Sequence, residues 1–131
     1  MPIRENNIDN HKMHSEYAKV DENTALRIRK TLIKGGKVIA VGTTVMRVLE
    51  SPFFVDKNFQ PFNGSINTFI KPGHDFKVCS GLFTNFHLPK STLFILVNAF
   101  MGIEKANELY QLAIKKNYRL FSYGDCCLLL P

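Results

Sequence analysis

Apolar residues Ala25, Ile28 and Leu32 recur at helical spacing, while Arg27, Lys30 and Lys34 fall on the opposite side. This predicts an amphipathic helix. Asp21 supplies its N-cap, Glu22 an acidic first turn, and Gly35-Gly36 a left-handed stop. The pattern then changes. Val38-Ile39-Ala40-Val41 has no polar alternation, which predicts a short strand buried on both faces. Gly42-Thr43-Thr44 turns the chain into a second helix running to about Ser51. Before all of this, residues 1–12 are polar and predict a loop or arm, and residues 14–20 predict a short strand.

Residues 52–65 carry four phenylalanines between Pro and Gly markers and predict a packed loop or insertion, long for a connection. Residues 66–70 predict a strand ended by the turn Lys71-Pro72-Gly73, and residues 76–78 extend again before Leu82-Phe83. Residues 91–101 are apolar nearly all round, which predicts a helix covered on several sides, and Gly102 ends it. Ile103, Ala106, Tyr110 and Ala113 form the apolar stripe of a last helix closed by Lys115-Lys116. Residues 118–130 are aromatic and aliphatic with a bend at Gly124-Asp125. Helix, buried strand, turn and helix in this order predict an α/β fold, a partial parallel or mixed sheet flanked by helices.

Composition narrows this picture only slightly. The 131 residues bound the chain to one domain or part of one, and the 45% apolar share is enough for a core. The longest apolar run, 93–101 with Asn98 inside it, falls well short of the about 20 residues of a membrane span. No signal peptide begins the chain, so the expected setting is cytoplasmic. Cys79, Cys126 and Cys127 lack metal-site spacing and are expected as reduced, buried thiols. A formal charge of +6 suits a polyanion such as nucleic acid, and equally suits a basic protein with no such partner.

Four polar islands could carry chemistry. His14 and Glu16 stand two apart, on one face of a strand, and Tyr17 follows; a proton-sharing pair and a solvent-facing edge both fit. Gly42, Thr43 and Thr44 begin a helix after a strand, where free N–H groups suit an anion, or where a threonine simply caps. Arg47 and Glu50 nearby fit a surface pair. In residues 82–96, LFTNFHLPKSTLFIL, Pro89 and Ser91 have a helix-starting role, whereas Asn85 and His87 share one side of an extended segment without one. Residues 121–125, FSYGD, set Tyr123 and Asp125 beside a glycine, as a ligand site or as turn chemistry. There is no Walker A loop, GxGxxG or HExxH.

Taken in order, these islands resemble one family. His14-Ser15-Glu16-Tyr17, VIAVGTT at 38–44, Arg47 with Leu49-Glu50-Ser51, Phe69-Ile70 with Pro72-Gly73, TNFHLPKSTL at 84–93 and FSYGD at 121–125 together are similar to the S-adenosylmethionine:tRNA ribosyltransferase-isomerases of queuosine biosynthesis. The resemblance runs from residue 2 to about 129. Two departures stand out. Cys126-Cys127 replace small and aliphatic residues, and Val45-Met46 replaces a Ser-Val type pair, removing a hydroxyl.

The resemblance implies transfer and isomerisation of the ribosyl part of S-adenosylmethionine onto 7-aminomethyl-7-deazaguanine at the tRNA wobble position. Epoxyqueuosine forms, and adenine and methionine leave. It implies S-adenosylmethionine as co-substrate, tRNA as partner, and neither a further cofactor nor a metal. Base and acid are expected among His14, Glu16, His87 and Asp125. Substrate binding is expected from Tyr17, Gly42, Thr43, Thr44, Arg47, Thr84, Asn85 and Tyr123. It further implies that residues 1–131 are the C-terminal part of the main α/β domain, without an upstream α/β segment and an inserted β-barrel domain. Such a piece is expected to expose apolar surface and to lack activity alone, as one half of a split enzyme or an RNA-binding remnant.

Overall fold

The computed structural model describes residues 15–85, 92–116 and 126–131. Strand β1 (Glu16–Val20) leads into α1 (Glu22–Ile33). Asp21 caps that helix, its carboxylate accepting from the Thr24 N–H at 2.8 Å. Ala25 and Ile28 face the core, and Gly35 at φ 74° ends the helix in the left-handed conformation. Then come β2 (Ile39–Val41), α2 (Thr43–Leu49), α3 (Pro52–Val55), β3 (Phe62–Ile66), β4 (Gly81–Asn85), α4 (Thr92–Met101), α5 (Ile103–Lys115) and β5 (Cys126–Leu129).

The strands make two sheets. In the larger, ordered β2-β4-β5, β2 runs parallel to β4 and β5 antiparallel to it, so the sheet is mixed as the sequence predicts. A separate ribbon pairs β1 with β3 antiparallel, from Glu16 opposite Ile66 to Val20 opposite Phe62. Ala40, Leu82 and Leu129 project from the larger sheet into a core shared with Met46, Leu49, Leu96, Val97 and Phe100. Helices α2 and α4 therefore cover one face. Ala106, Tyr110 and Ala113 bury the inner stripe of α5, with Tyr110 edge-on to Phe94 at 4.5 Å. Among the described residues no helix is long and apolar enough to cross a membrane.

Several expectations change. The run at 38–41 is buried on one face only: Ala40 is enclosed while Ile39 and Val41 are exposed. Residues 52–65 are no irregular excursion, because α3 and most of β3 lie within them. Phe54 is fully buried and meets Phe59 and Phe62 at 5.5 and 6.3 Å between ring centroids, so the aromatic cluster organises this segment. Phe59 accepts a positive φ of 56°, with its N–H donating to the Phe54 carbonyl and its own carbonyl receiving Arg29 Nη1 at 2.8 Å. The expected strand at 66–70 has its pairing residues earlier, at 62–66, and 76–78 joins no strand. Ile103 is exposed and leaves the stripe of α5. The thiols are free, but only Cys79 is buried; Cys127 is half-buried and Cys126 exposed.

Candidate functional site

The parallel pair β2 and β4 ends at one mouth. There the Gly42 N–H donates to the Phe83 carbonyl at 2.8 Å, tying the start of α2 to the end of β4. Gly42 has a φ of 99°, a conformation glycine adopts without strain, and no side chain caps the helix. The expected threonine cap is thus absent. Thr43 and Thr84 are both buried beside this mouth, in α2 and β4.

One helical turn beyond Thr43, Arg47 shares its face of α2. Its side chain is buried, Nε donates to the Thr68 carbonyl at 3.1 Å, and Nη1 donates to Glu16 Oε1 at 3.2 Å. Nη2 is buried without a partner among the described residues. A guanidinium donor in that state is under-satisfied and has a use for one more acceptor. Glu16 is the only described member of its expected base pair; its carboxylate is part-exposed at 43% and so reachable from solvent.

The expected Arg47–Glu50 surface pair does not form. Both residues are buried and each looks elsewhere. Glu50 Oε2 accepts from the N–H groups of Val78 and Cys79, and Oε1 from that of Lys77, all at 2.8 Å. A His74 ring nitrogen lies 3.3 Å from Oε1. Sequence reasoning missed this clamp. Its signal was an acid flanked by Val48, Leu49 and Ser51 at the end of an apolar helix, a poor place for a solvated charge. The carboxylate and burial also push the Cys79 thiol far above its ordinary range, burial first.

Other expected residues lie apart from the mouth. Tyr17 is exposed on the opposite side of β1 from Glu16. Thr44 is exposed and lines a separate cavity of about 380 Å³ with Lys19, Asp21, Thr24 and Val48. Asn85 alternates with Thr84 on β4 and faces Cys126 on β5, whose thiol donates to Asn85 Oδ1 at 2.9 Å. The structure therefore ties Gly42 to the end of β4 and, one turn further along α2, joins Arg47 to Glu16; Tyr17, Thr44 and Asn85 have no part in either contact. His14, His87, Tyr123 and Asp125 lie outside the described residues.

A glycine turn opening a helix at the carboxyl ends of two parallel strands marks an α/β protein, and in open α/β sheets this is the edge where ligands bind. The family is more definite than the class. The chain belongs to the family described as queuosine biosynthesis protein, whose model matches residues 1–129. It is 52% identical over 129 residues to the S-adenosylmethionine:tRNA ribosyltransferase-isomerase of Halothermothrix orenii, covering 98% of this chain and 38% of that protein. The protein of the same name from Sphingopyxis alaskensis is 48% identical over 131 residues, covering 100% of this chain and 37% of its own. The crystal structure of S-adenosylmethionine tRNA ribosyltransferase from Thermotoga maritima superposes with a TM-score of 0.81 at 40% identity, over 87% of this chain and 40% of that one. The chain thus spans less than two-fifths of the length of the curated relatives it matches.

Proposed function

We propose that this chain supplies part of the active site of a tRNA ribosyltransferase-isomerase in a cytoplasmic setting. In that reaction the ribosyl moiety of S-adenosylmethionine moves to 7-aminomethyl-7-deazaguanine in tRNA and is rearranged to the epoxycyclopentane of epoxyqueuosine. Adenine and methionine leave. The observation that carries this reading, beside membership of the family, is the buried Arg47 guanidinium, held by Glu16 and left with Nη2 unpartnered among the described residues.

In this reading Arg47 holds an anion, the methionine carboxylate or a tRNA phosphate, through a charge-assisted bond from Nη2. Glu16 keeps that guanidinium in place and, with its carboxylate part-exposed, takes the proton from a sulfonium-activated C–H as a base. Protonation of the departing adenine falls to His14, His87 or Asp125. Thr43 and Thr84 orient the substrate from the mouth.

A second reading, RNA binding without chemistry, is favoured by one observation: Arg27 and Lys30 on α1 and Lys34 at its C-cap are all exposed. One assay separates the two. S-adenosylmethionine is incubated with the chain, with and without a polypeptide equivalent to the unmatched part of its relatives, and adenine is measured. The proposed function requires adenine release that depends on tRNA carrying 7-aminomethyl-7-deazaguanine. Binding of tRNA that weakens steeply with salt, with no adenine from either mixture, would establish the second reading instead.

A further inference from the structure

The β2-β4-β5 sheet is finished on one face only. Ala40, Leu82 and Leu129 are enclosed under α2 and α4, whereas their strand neighbours on the reverse face are open. Val41, Phe83 and Leu128 stand directly opposite one another in register and form one row across all three strands. They are 67%, 41% and 49% exposed. Ile39 and Leu130 form a second row, 45% and 53% exposed, on either side of Gly81. A Cβ placed on that glycine would lie 2.9 Å from Leu130 and 3.2 Å from Ile39.

Five large apolar side chains, four on contiguous strands and Leu130 just past β5, make a patch, not scattered surface residues. Patches of this kind mark interaction surfaces. Two of the three strands are parallel, an arrangement that α/β folds cover with helices on both faces. Among the described residues β2 has a single strand neighbour, so its outer edge is open as well. The unmatched part of the family's length is available to cover them. More than three-fifths of each of the two relatives above lies outside the match, while the matched part keeps the fold of the solved Thermotoga maritima protein.

We propose that the Ile39, Val41, Phe83, Leu128, Leu130 face is the seat of the polypeptide that makes up the unmatched part of the family's length, whether carried on the same chain or on another. The occupant is an apolar surface of that polypeptide packed across the three strands. This inference concerns packing and holds whether or not the chain takes part in catalysis.

The test compares this chain with the complete Halothermothrix orenii relative. V41K and F83K in this chain should leave the helical circular-dichroism signal unchanged, shift the melting temperature by no more than about 1 °C, and reduce binding of an apolar fluorescent dye. Lysine at the aligned positions of the relative should lower its melting temperature by about 5 °C or more. If that relative fails to fold, cysteine at the position aligned with Phe83 provides a milder probe. It should react with a thiol reagent at least about a hundredfold more slowly than F83C in this chain, read by peptide mass mapping. Equal labelling rates, or a relative indifferent to both lysines, overturn the proposal. A homodimer of this chain that V41K and F83K dissolve, alongside an indifferent relative, assigns the face to a second copy and also overturns it.

Discussion

Two buried charges three residues apart, Arg47 and Glu50, have been treated very differently by the fold. The Glu50 carboxylate is fully enclosed, and three backbone N–H groups with His74 surround it. It joins the end of α2 to residues 77–79, the approach to β4, and leaves no room for a ligand. Arg47 has two donors engaged and Nη2 unmet, and its partner Glu16 opens to solvent. The difference separates a closed structural clamp from a buried charge with one donor unmet. A satisfied buried charge organises the chain, whereas an under-satisfied one is equipped to meet something else.

The strongest way to break this contrast is Glu50→Gln. The amide would turn one acceptor into a donor facing N–H groups, so we expect a loss of about 3 kcal/mol in urea unfolding. Amide exchange at Lys77, Val78 and Cys79 should rise with it. A smaller structural effect is expected from Arg47→Met, about 1 kcal/mol, because Glu16 can be solvated once released. Its larger consequence is functional: at least about tenfold weaker binding of S-adenosylmethionine or tRNA by calorimetry. Arg47→Lys should not restore that binding, since a single ammonium cannot serve Thr68, Glu16 and a ligand together. Loss of stability as large as that of Glu50→Gln, without a change in binding, would make Arg47 a second clamp.

Thiol chemistry sharpens the same division between closed and open regions. Burial, with Cys126 adding to it, pushes the Cys127 thiol up to about 11, and Cys79 beside Glu50 lies higher still. At pH 8 an alkylating reagent should therefore modify exposed Cys126 first, Cys127 slowly and Cys79 only after unfolding. Early modification of Cys79 would mean that the Glu50 clamp opens readily. The smallest effect belongs to the α1 cap. Hydrogen bonds from the backbone N–H and side chain of Thr24 hold the Asp21 carboxyl below its ordinary 3.8. A carboxyl depressed in the folded state stabilises above its unfolded value, and the contribution disappears as pH falls through the folded one. Asp21→Ala should thus lower the melting temperature slightly at pH 7, and the difference from the unaltered chain should vanish at low pH.

What could be learned from the chain without coordinates was local. The Asp21 cap, the Gly35 stop, the stripe of α1 and the Gly102 break are written within a few residues of where they act, and a helix closes its hydrogen bonds over four residues. The motifs also carried the family, since TNFHLPKSTL and FSYGD keep their meaning as strings. Spacing paired Glu16 with His14 and Arg47 with Glu50. It had no means to choose the partners those side chains would take.

Those partners are distant along the chain. Glu16 meets Arg47 across 31 positions, and Glu50 reaches Val78 across 28. Glu16 also pairs with Ile66, which moved the expected strand at 66–70 back to Phe62–Ile66. Likewise, the apolar run at 38–41 fixed a strand but not how many of its faces would be covered. The sequence by itself therefore determined the helix ends, the apolar segments and the family. Only the tertiary structure decided that Glu50 is a clamp, that Arg47 keeps a free donor, and that Ile39 and Val41 stay bare. Burial and hydrogen-bond partnership depend on which segments meet in space, and local periodicity does not encode that meeting.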